Sequence, residues 1–581
     1  MKWEENTWFI KVREKIKIDA KEMVQEPSYE IPFSIYRQFM EKGERQEYES
    51  YYFRRRKRLT TFGLHLYLYP EEKKYVNALE NEIWQVCNEF TWCLPAHVDS
   101  TKEEQSYENY KKSYTSQYTI DLFAAETAFT LAEIVALFEE KLDSFLVEKM
   151  KIEIDRRVFS PFKNNHFHWE KATHNWASVC AGSIGAAALY LIDDPKEQEN
   201  ILNRVIETMD CYLEGFEKDG ACTEGYGYWQ YGFGYFVYFA DLLLRYKRIN
   251  LFEKAKIEAI AMFQQKIFIN QDNVVNFSDA QVKAKPRIGF THYLHQVFPK
   301  VHVPLNELGE KDIVDHCGRF APAIRELWWF DFTESGKHWP EENYLFENSA
   351  IFLSRRQVEN TRYAFSVKGG HNAEPHNHND IGHFILFAGD TVFLRDLGSG
   401  QYNKDYFSEK RYTFICNSAE GHSIPLINGN YQQEGKQHKG NITEVTENSA
   451  YDQIQLDLSE AYPDSSLLTF NRTFTWEKSE GLALLLKDSF IFSKQPMSLI
   501  ESFIIKDLPH EIVDGGILVY GKKKILKISF SSDLLIPNIV KKSFINHQGN
   551  EEYFLHVLFD TIKVNEKIVL AFKFEFLDRD S

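Results

Sequence analysis

The sequence is poor in cysteine, and its cysteines are not arranged for cross-linking. There are seven among 581 residues, scattered and without any Cys-x-x-Cys spacing. Neither a disulfide framework nor a thiolate zinc site is therefore indicated. We expect reduced and mostly buried thiols at Cys87, Cys93, Cys180, Cys211, Cys222, Cys317 and Cys416.

Long apolar runs and positive charge are also scarce. No run approaches the roughly eighteen apolar residues of a membrane-spanning helix, and the opening Met1–Asn6 has no apolar core of signal-peptide length. These absences predict a cytoplasmic protein without a membrane partner. The formal net charge of −17 argues against general binding to nucleic acid or to anionic membranes. It leaves room for an acidic substrate held in a local basic cleft.

Aromatic residues, in contrast, are abundant and make up 15% of the chain. Their large apolar faces and polar tips suit carbohydrate-binding clefts, although most of these rings must simply fill a core. A chain of 581 residues is also too long for one ordinary core, so we expect at least two domains.

Two kinds of periodicity divide the chain. Apolar residues recur at three- and four-residue steps from about residue 119 to residue 267, and the segment Trp176–Ile192 is rich in small residues. Helix after helix with short polar joins is typical of a solenoid or toroid of helical hairpins. After about Pro340, short runs of period two such as Tyr363–Val367 and Leu468–Phe474 predict an antiparallel sandwich of many strands.

The ten residues His371–Asp380 hold three imidazoles and two carboxylates, which serve in metal binding and in proton transfer. His376 and His378 are two residues apart, so on an extended strand both side chains would point to the same face. The apolar run Phe384–Phe387 that follows predicts a strand. The alternative is a polar loop whose histidines only form hydrogen bonds.

Asp396 and His422 supply a further carboxylate and imidazole on what we predict to be successive strands. Two imidazoles and one carboxylate make a three-ligand zinc set with a fourth position for water. Because His376 and His378 are so close in sequence, one can bind metal while its neighbour faces a cleft.

Two segments of the helical half also carry candidate groups. His174 and Asn175 stand at the start of a predicted helix, where backbone N–H groups and the helix dipole favour a carboxylate. A simple cap is the alternative for Asn175. The segment Asp219–Gly232 places glycines among tyrosines, and a phenol whose pKa is lowered by nearby cations can relay a proton. A structural role for these tyrosines is the alternative.

Taken together, the motifs resemble the heparinase II/III family of polysaccharide lyases, nearest to its exolytic alginate and heparin lyase branch. The motifs that carry the resemblance cover most of the chain and are His174-Asn175-Trp176, Glu224-Gly225-Tyr226-Gly227-Tyr228-Trp229, His376-x-His378, Asp396-x-Gly398 and Gly421-His422. The resemblance implies an N-terminal (α/α) toroid, an incomplete helical barrel, followed by an antiparallel β-sandwich. The implied domains are a lead segment at 1–60, the toroid at 61–335 and the sandwich at 336–581.

The resemblance also implies β-elimination at a uronic acid without a redox cofactor. His174 and Asn175 would neutralise the substrate carboxylate, Tyr228 would protonate the leaving oxygen, and His376 would take the C5 proton. Tyr228 would also be the base when proton and leaving group lie on one face of the sugar. The metal ligands would be His378, Asp396 and His422, holding Zn²⁺ or another divalent cation in a mainly structural role.

Other assignments stay open on the sequence alone. The tyrosines that compete for the acid role are Tyr226, Tyr228, Tyr231, Tyr402, Tyr406 and Tyr412. The expected partner is an acidic oligosaccharide from heparin, heparan, hyaluronan or alginate, imported as fragments because a polymer cannot cross a membrane intact. The alternatives are a glycoside hydrolase using carboxylates such as Asp219 and Glu224, and an inactive carbohydrate-binding relative. For the oligomeric state, a homodimer is one option.

Overall fold

A computed structural model describes residues 6–28, 30–98, 119–478 and 482–579. The chain forms two compact units, which we call the helical unit and the β unit. The helical unit comprises Met1–Phe216, Tyr228–Met262 and Lys285–His338. The β unit comprises Glu217–Gly227, Phe263–Ala284 and Trp339–Ser581.

The helices follow the apolar periodicity of the sequence, and several begin at a residue whose side chain caps the helix. Asp121 accepts the N–H of Ala124 at 2.8 Å, and Asp194 accepts the N–H of Glu197 at 2.7 Å. Each carboxylate thereby satisfies an N–H group that has no partner within its helix. The helices are α1 (Thr7–Met23), α2 (Phe33–Tyr36), α3 (Gln38–Lys42), α4 (Gln46–Leu68), α5 (Lys73–Cys87), α6 (Leu122–Phe138), α7 (Ser144–Ile154), α8 (Ser160–Asn164), α9 (Asn175–Leu191), α10 (Pro195–Glu214), α11 (Tyr226–Lys247), α12 (Ala255–Ala261), α13 (Phe263–Ile267), α14 (Ile288–Val297) and α15 (Phe320–Trp328).

Five helices of the helical unit run in the same direction. The C-terminal ends of α4, α6, α9, α11 and α15 line one cavity of about 880 Å³, to which they contribute Tyr67, Leu137, Tyr190, Tyr246 and Trp328. Their N-terminal ends therefore lie at the opposite end of the unit. This arrangement is that of a helical toroid, which confirms the predicted architecture.

Helix α9 packs closely on α11 because small residues form its surface. A Cβ atom at Gly182 would lie only 2.9 Å from the backbone oxygen of Tyr235, so the two backbones approach to a distance that a larger residue would prevent. Ser178 extends the contact by donating a hydrogen bond to the carbonyl oxygen of Gly232 at 2.7 Å. The N-terminal ends of these two helices are thus held together.

The β unit contains two antiparallel sheets, as predicted. The strands are β1 (Asn343–Phe346), β2 (Ile351–Val358), β3 (Thr361–Lys368), β4 (Gly370–Asn372), β5 (Phe384–Ala388), β6 (Thr391–Leu394), β7 (Leu426–Ile427), β8 (Gly435–Glu447), β9 (Tyr451–Asp457), β10 (Leu467–Glu477), β11 (Ala483–Phe492), β12 (Leu499–Lys506), β13 (His510–Val513), β14 (Gly516–Tyr520), β15 (Lys524–Phe530), β16 (Leu535–Ile545), β17 (Glu551–Thr561) and β18 (Lys567–Asp578). The first sheet has the order β1-β2-β3-β5-β6-β12-β17-β16, with β7 paired to β12. The second has the order β13-β14-β15-β18-β11-β10-β9-β8-β4.

Phenylalanine rings from both sheets fill the space between them. The ring centroid of Phe384 on β5 lies 5.0 Å from that of Phe474 on β10 and 5.9 Å from that of Phe503 on β12. All three side chains are fully buried. Burying a ring of this size stabilises the fold by about 1.5–3 kcal/mol, so this core supplies much of the stability of the unit.

Arg472 on β10 is a buried charge that joins the core to the loops around the candidate site. Its guanidinium donates to Asp488 at 2.9 Å and to Glu501 at 3.0 Å. Its Nη1 group donates to the carbonyl oxygens of Gly382 and Ser423, each at 2.9 Å. Removing one partner would leave an uncompensated buried charge, so the two loops are firmly fixed.

Two details of the sequence predictions meet different outcomes. The predicted strand at Phe384–Phe387 is confirmed as part of β5. The prediction that His376 and His378 lie on an extended strand is wrong, because both lie in the loop between β4 and β5.

Among the described residues, we find no helix with the length and apolar character that crossing a membrane would require. The predicted domain boundaries at 60/61 and 335/336 stay predictions.

Candidate functional site

Three predicted metal ligands of the β unit lie together. His378, Asp396 and His422 each offer one ligand atom, and these atoms lie within 4.8 Å of one another. Asp396 follows β6, and His422 follows a short 3₁₀ turn at Ala419–Gly421. All three side chains are fully buried. Residues from three separate loops thus converge on one point.

In His422 and Asp396, one side-chain atom forms a hydrogen bond with the backbone and the other is left for a metal. The Nδ1 of His422 lies 2.8 Å from the carbonyl oxygen of Ser418, so it carries the proton and leaves the lone pair on Nε2. One oxygen of Asp396 accepts the N–H of Gly398 at 2.7 Å. The atoms His378 Nδ1, Asp396 Oδ2 and His422 Nε2 are buried and have no hydrogen-bond partner among the described residues. Buried polar atoms are rarely left unpaired, so this group fits a cation such as Zn²⁺.

His383 is a neighbour of this group that the sequence analysis missed. Its Nδ1 accepts the N–H of Ser423 at 2.8 Å, and burial lowers the pKa of the ring well below its usual value. The neutral ring therefore carries its proton on Nε2, which lies 3.4 Å from Asp396 Oδ2. These two atoms do not form a hydrogen bond, and a protonated Nε2 has no lone pair for a metal.

His376 is turned away from the metal group and lies beside two carboxyl groups. Its φ of 56° is left-handed, which places its side chain differently from that of His378 two residues later. The Nδ1 atom lies 2.8 Å from Asp279 Oδ2, and the Nε2 atom lies 3.8 Å from Glu224 Oε2. About a quarter of the His376 side chain is exposed.

Asp279 is the shared partner of this region, and the sequence analysis did not identify it. Its fully buried carboxylate lies within 3.0 Å of groups on His376, His378, Tyr406 and Arg411. Burial opposes the charge, but the hydrogen bonds from both histidines and the charge of Arg411 hold the pKa of Asp279 well below its usual range. In the sequence Asp279 lies among apolar and small polar residues, Val274–Ala280, which form no recognisable motif.

Glu224 is a buried carboxyl group with few groups nearby that would stabilise its charge. Burial raises its pKa, and Asp279 raises it further, while His376 opposes both. Its Oε2 atom has no hydrogen-bond partner among the described residues. Its environment therefore favours the protonated form more than water does.

The candidate tyrosines have different surroundings. In the β unit, the Tyr406 hydroxyl donates to Asp279 at 2.5 Å, and the Tyr412 hydroxyl donates to Asn377 at 2.9 Å. The Tyr402 ring lies 6.5 Å from that of His376. The Tyr226 hydroxyl donates to Gln264 at 2.7 Å and is buried, which is typical of a structural tyrosine.

The candidate residues of the helical unit lie near the start of α9. His174 is the N-cap residue and Asn175 the first residue of the helix, and Asn175 is buried. A Cβ atom at Gly232 of α11 would lie 3.1 Å from the Asn175 Cβ atom. Tyr228 precedes Gly232 by four residues on the same helix, so it shares the face that contacts Asn175. The structure thus places His174, Asn175 and Tyr228 at one end of the helical unit.

The same end of the helical unit contains Arg319, which is paired with the carboxylates of Glu126 and Asp315. It gathers the N-terminal ends of α4, α6, α9, α11 and α15, whose dipoles favour an anion. Arg319 stands at the start of α15, where its guanidinium lies 4.2 Å from the centre of the Tyr231 ring. Glu126 pairs with that guanidinium at 2.7 Å.

His97 is another residue that the sequence analysis missed. Its Nδ1 lies 2.9 Å from the buried carboxylate of Asp121, and its ring centroid lies 5.0 Å from that of Trp176. Trp176 is the residue after Asn175, so this imidazole lies beside the start of α9. A single histidine without a nearby motif gave no sequence signal.

Comparison with known proteins identifies solved structures with a similar fold. No family model matches the sequence, and no curated protein matches it. Heparan sulfate lyase HepC from Pedobacter heparinus is similar in structure, with 14% identity, a TM-score of 0.64, and 98% of this chain and 88% of that chain covered. A heparinase III gene product has 12% identity, a TM-score of 0.65, and 99% and 91% of the two chains covered. Another structure, heparinase III, has 13% identity, a TM-score of 0.64, and 92% and 78% of the two chains covered. At these identities the likeness shows a shared fold of helical toroid and β-sandwich.

Proposed function

We propose that the chain is a lyase that cleaves acidic glycans next to a uronic acid by β-elimination. The observation that carries the proposal is the divided pair His376 and His378, joined through Asp279. One imidazole faces a buried group that fits a metal, and the other belongs to a side chain that is about a quarter exposed. The fold shared with heparan sulfate lyases supports the same reaction class.

The reaction requires a base, an acid and a partner for developing negative charge. The C5 proton of a uronic acid is α to the carboxylate, and its removal builds a second negative charge on that group. His376 takes this proton on Nε2, while Asp279 holds the Nδ1 proton and stabilises the imidazolium that forms.

The remaining roles belong to the helical unit. His174 and Asn175 donate hydrogen bonds to the substrate carboxylate, and these bonds strengthen as the charge develops. Tyr228 protonates the O4 leaving group, and it is also the base when both groups lie on one face of the sugar.

A divalent cation, of which Zn²⁺ fits the donor set best, would be held by His378, Asp396 and His422. When bound, it supplies fixed positive charge that braces these three loops. His376 is two residues from His378, so the position of the base depends on the order of this loop.

The proposed substrates are acidic oligosaccharides, with heparan and heparin fragments first and hyaluronan and alginate fragments next. The fold shared with heparan sulfate lyases favours the first two. We further propose a cytoplasmic enzyme that acts on imported fragments.

A panel of these oligosaccharides, incubated with the zinc-loaded protein, tests the proposal directly. β-Elimination creates a C4–C5 double bond, which is followed by ultraviolet absorbance and by mass spectrometry of the products. We expect activity on at least one uronic substrate and a loss in His376→Ala on the order of 10²- to 10⁴-fold, the usual effect of removing a general base.

The matched control is His371→Ala, because His371 lies on β4, just before the loop that holds His376, and its Nδ1 accepts the Ala373 N–H at 3.2 Å. It should retain wild-type activity. A protein that leaves every substrate intact, or that makes product equally well without the His376 imidazole, would contradict the proposal.

A glycoside hydrolase is the second candidate, and the buried Glu224 favours it. Its raised pKa suits a general acid. Asp219, the other predicted carboxylate, is already occupied, because it accepts the N–H groups of Ala221, Asn348 and Ser349. Hydrolysis gives saturated products, with loss of activity in Glu224→Gln and not in His376→Ala.

A further inference from the structure

We propose that Asp279 is a positioning residue that sets the proton positions of two imidazoles at once. It leaves His376 with its lone pair on Nε2, as a base requires, and His378 with its lone pair on Nδ1, as a metal ligand requires. The inference rests on the proposed β-elimination for the role of His376. Its structural content, the two tautomers, can be tested without turnover.

The two carboxylate oxygens of Asp279 contact different imidazoles. Oδ2 lies 2.8 Å from His376 Nδ1 and 2.9 Å from Arg411 Nη2. Oδ1 lies 3.0 Å from His378 Nε2 and 2.5 Å from the Tyr406 hydroxyl. All four contacts are made by a carboxylate that solvent does not reach.

The direction of each hydrogen bond follows from the chemistry of the partners. Arg411 can only donate. The Tyr406 hydroxyl accepts an N–H from Asn417 at 2.9 Å, which leaves its own proton for Asp279. An ionised carboxylate has no proton to give, so both imidazole nitrogens that face it must carry one. The other nitrogen of each neutral ring then holds the lone pair.

An amide cannot replace this carboxylate. Asparagine offers one oxygen and one NH₂ group, whereas the site presents two donors on each side. If the NH₂ faces His376, that ring must move its proton to Nε2 and lose the base. If the NH₂ faces His378, that ring must move its proton to Nδ1 and lose the metal ligand. We therefore expect Asp279→Asn to change the tautomer of His376 or that of His378.

The experiment compares wild type, Asp279→Asn and Asp279→Ala by three measurements. The first is the ¹⁵N NMR shift of labelled His376 and His378 in metal-free protein, assigned with His376→Ala and His378→Ala. The second is Zn²⁺ affinity in competition with a chelator. The third is kcat and KM on the substrate that wild type cleaves.

In Asp279→Asn we expect at least one of the two rings to change tautomer. A change at His376 is accompanied by a fall in kcat on the order of 10³- to 10⁴-fold with little change in KM, as for the comparable substitution in a serine protease triad. A change at His378 is accompanied by a 10- to 100-fold loss of Zn²⁺ affinity, the usual effect of removing a carboxylate behind a metal-bound histidine. In Asp279→Ala, added formate should restore both tautomers, which also covers the case in which the amide variant folds poorly.

The matched control is Asp272→Asn, which removes a partly exposed carboxylate of the same segment that pairs with Lys283 at 2.9 Å. It should change none of the three measurements. Wild-type tautomers and Zn²⁺ affinity in Asp279→Asn would overturn the inference. A wild-type protein without lyase activity would overturn the proposed reaction instead, and the tautomers would still report on Asp279.

Discussion

At the scale of single residues, burial shifts the pKa of a carboxyl group away from its usual value. Glu374 lies in the same loop as His376, in the β unit. The pKa of its carboxyl group is raised to about 7, chiefly by burial, while Lys368 opposes the shift and Asp380 and Glu217 add to it. The folded protein therefore holds a proton on Glu374 that the unfolded chain has already released at the same pH.

This difference predicts that stability falls as pH rises through the interval from about 4.5 to about 7. In that interval the folded state binds more protons than the unfolded state, so raising the pH favours unfolding. In Glu374→Gln this component is absent, and the thermal midpoint should depend less on pH. Glu347→Gln, at an exposed position, is the control and should keep the wild-type profile. Identical profiles for Glu374→Gln and wild type would contradict the assignment.

Residue types with distinctive chemistry were predictable, whereas their partners were not. The spacing of His376 and His378 and the motifs around Asp396 and His422 pointed to a metal group, and the structure places three of these four side chains together. Asp279 was missed because it lies about a hundred residues upstream, without a neighbouring histidine. Only the folded chain brings such a carboxylate next to the imidazoles.

At the scale of elements, the close packing of α9 on α11 positions the amide of Asn175. A Cβ atom at Gly232 would lie 2.7 Å from the Tyr212 hydroxyl, 3.1 Å from the Asn175 Cβ and 3.3 Å from the Asn175 Cα. The tyrosine tip can move aside, but the start of α9 cannot do so without a backbone shift.

Gly232→Ala should therefore lower activity more than it lowers stability. We expect a fall of about 10- to 100-fold in kcat on the cleaved substrate, because displacing a group by about 1 Å can cost that much. The thermal midpoint should change little, since alanine favours a helix over glycine. Gly227→Ala is the matched control, because a Cβ at Gly227 meets nothing within 4 Å. Equal activity in the two variants would show that Asn175 does not need this contact.

Elements with strong periodicity were predictable, and local backbone geometry was not. The small-residue helix and the strand at β5 appear where the pattern placed them. The loop of His376 and His378 was predicted as a strand because two histidines with one residue between them fit a period of two. The left-handed backbone at His376 breaks that period, so the side chains of His376 and His378 are not related as they would be on a regular strand.

At the scale of the whole molecule, the two units differ in what stabilises them. The helical unit relies on closely packed helices such as α9 and α11. The β unit combines an aromatic core with three buried ligand atoms that have no other partner among the described residues. Filling such a group with a cation stabilises the fold that holds it and not the unfolded chain.

Metal removal should therefore destabilise the β unit selectively. At a free Zn²⁺ concentration about 1,000 times Kd, binding contributes about 4 kcal/mol, so chelation should lower the thermal midpoint by several degrees. Amide hydrogen exchange should rise in the loops around His378, Asp396 and His422 and stay unchanged in α9 and α11. In His422→Ala the midpoint should be low from the start and indifferent to chelator. His510→Ala, at an exposed position on β13, should behave as wild type. A uniform rise in exchange over both units, or a chelator response in His422→Ala, would place the stabilising cation elsewhere.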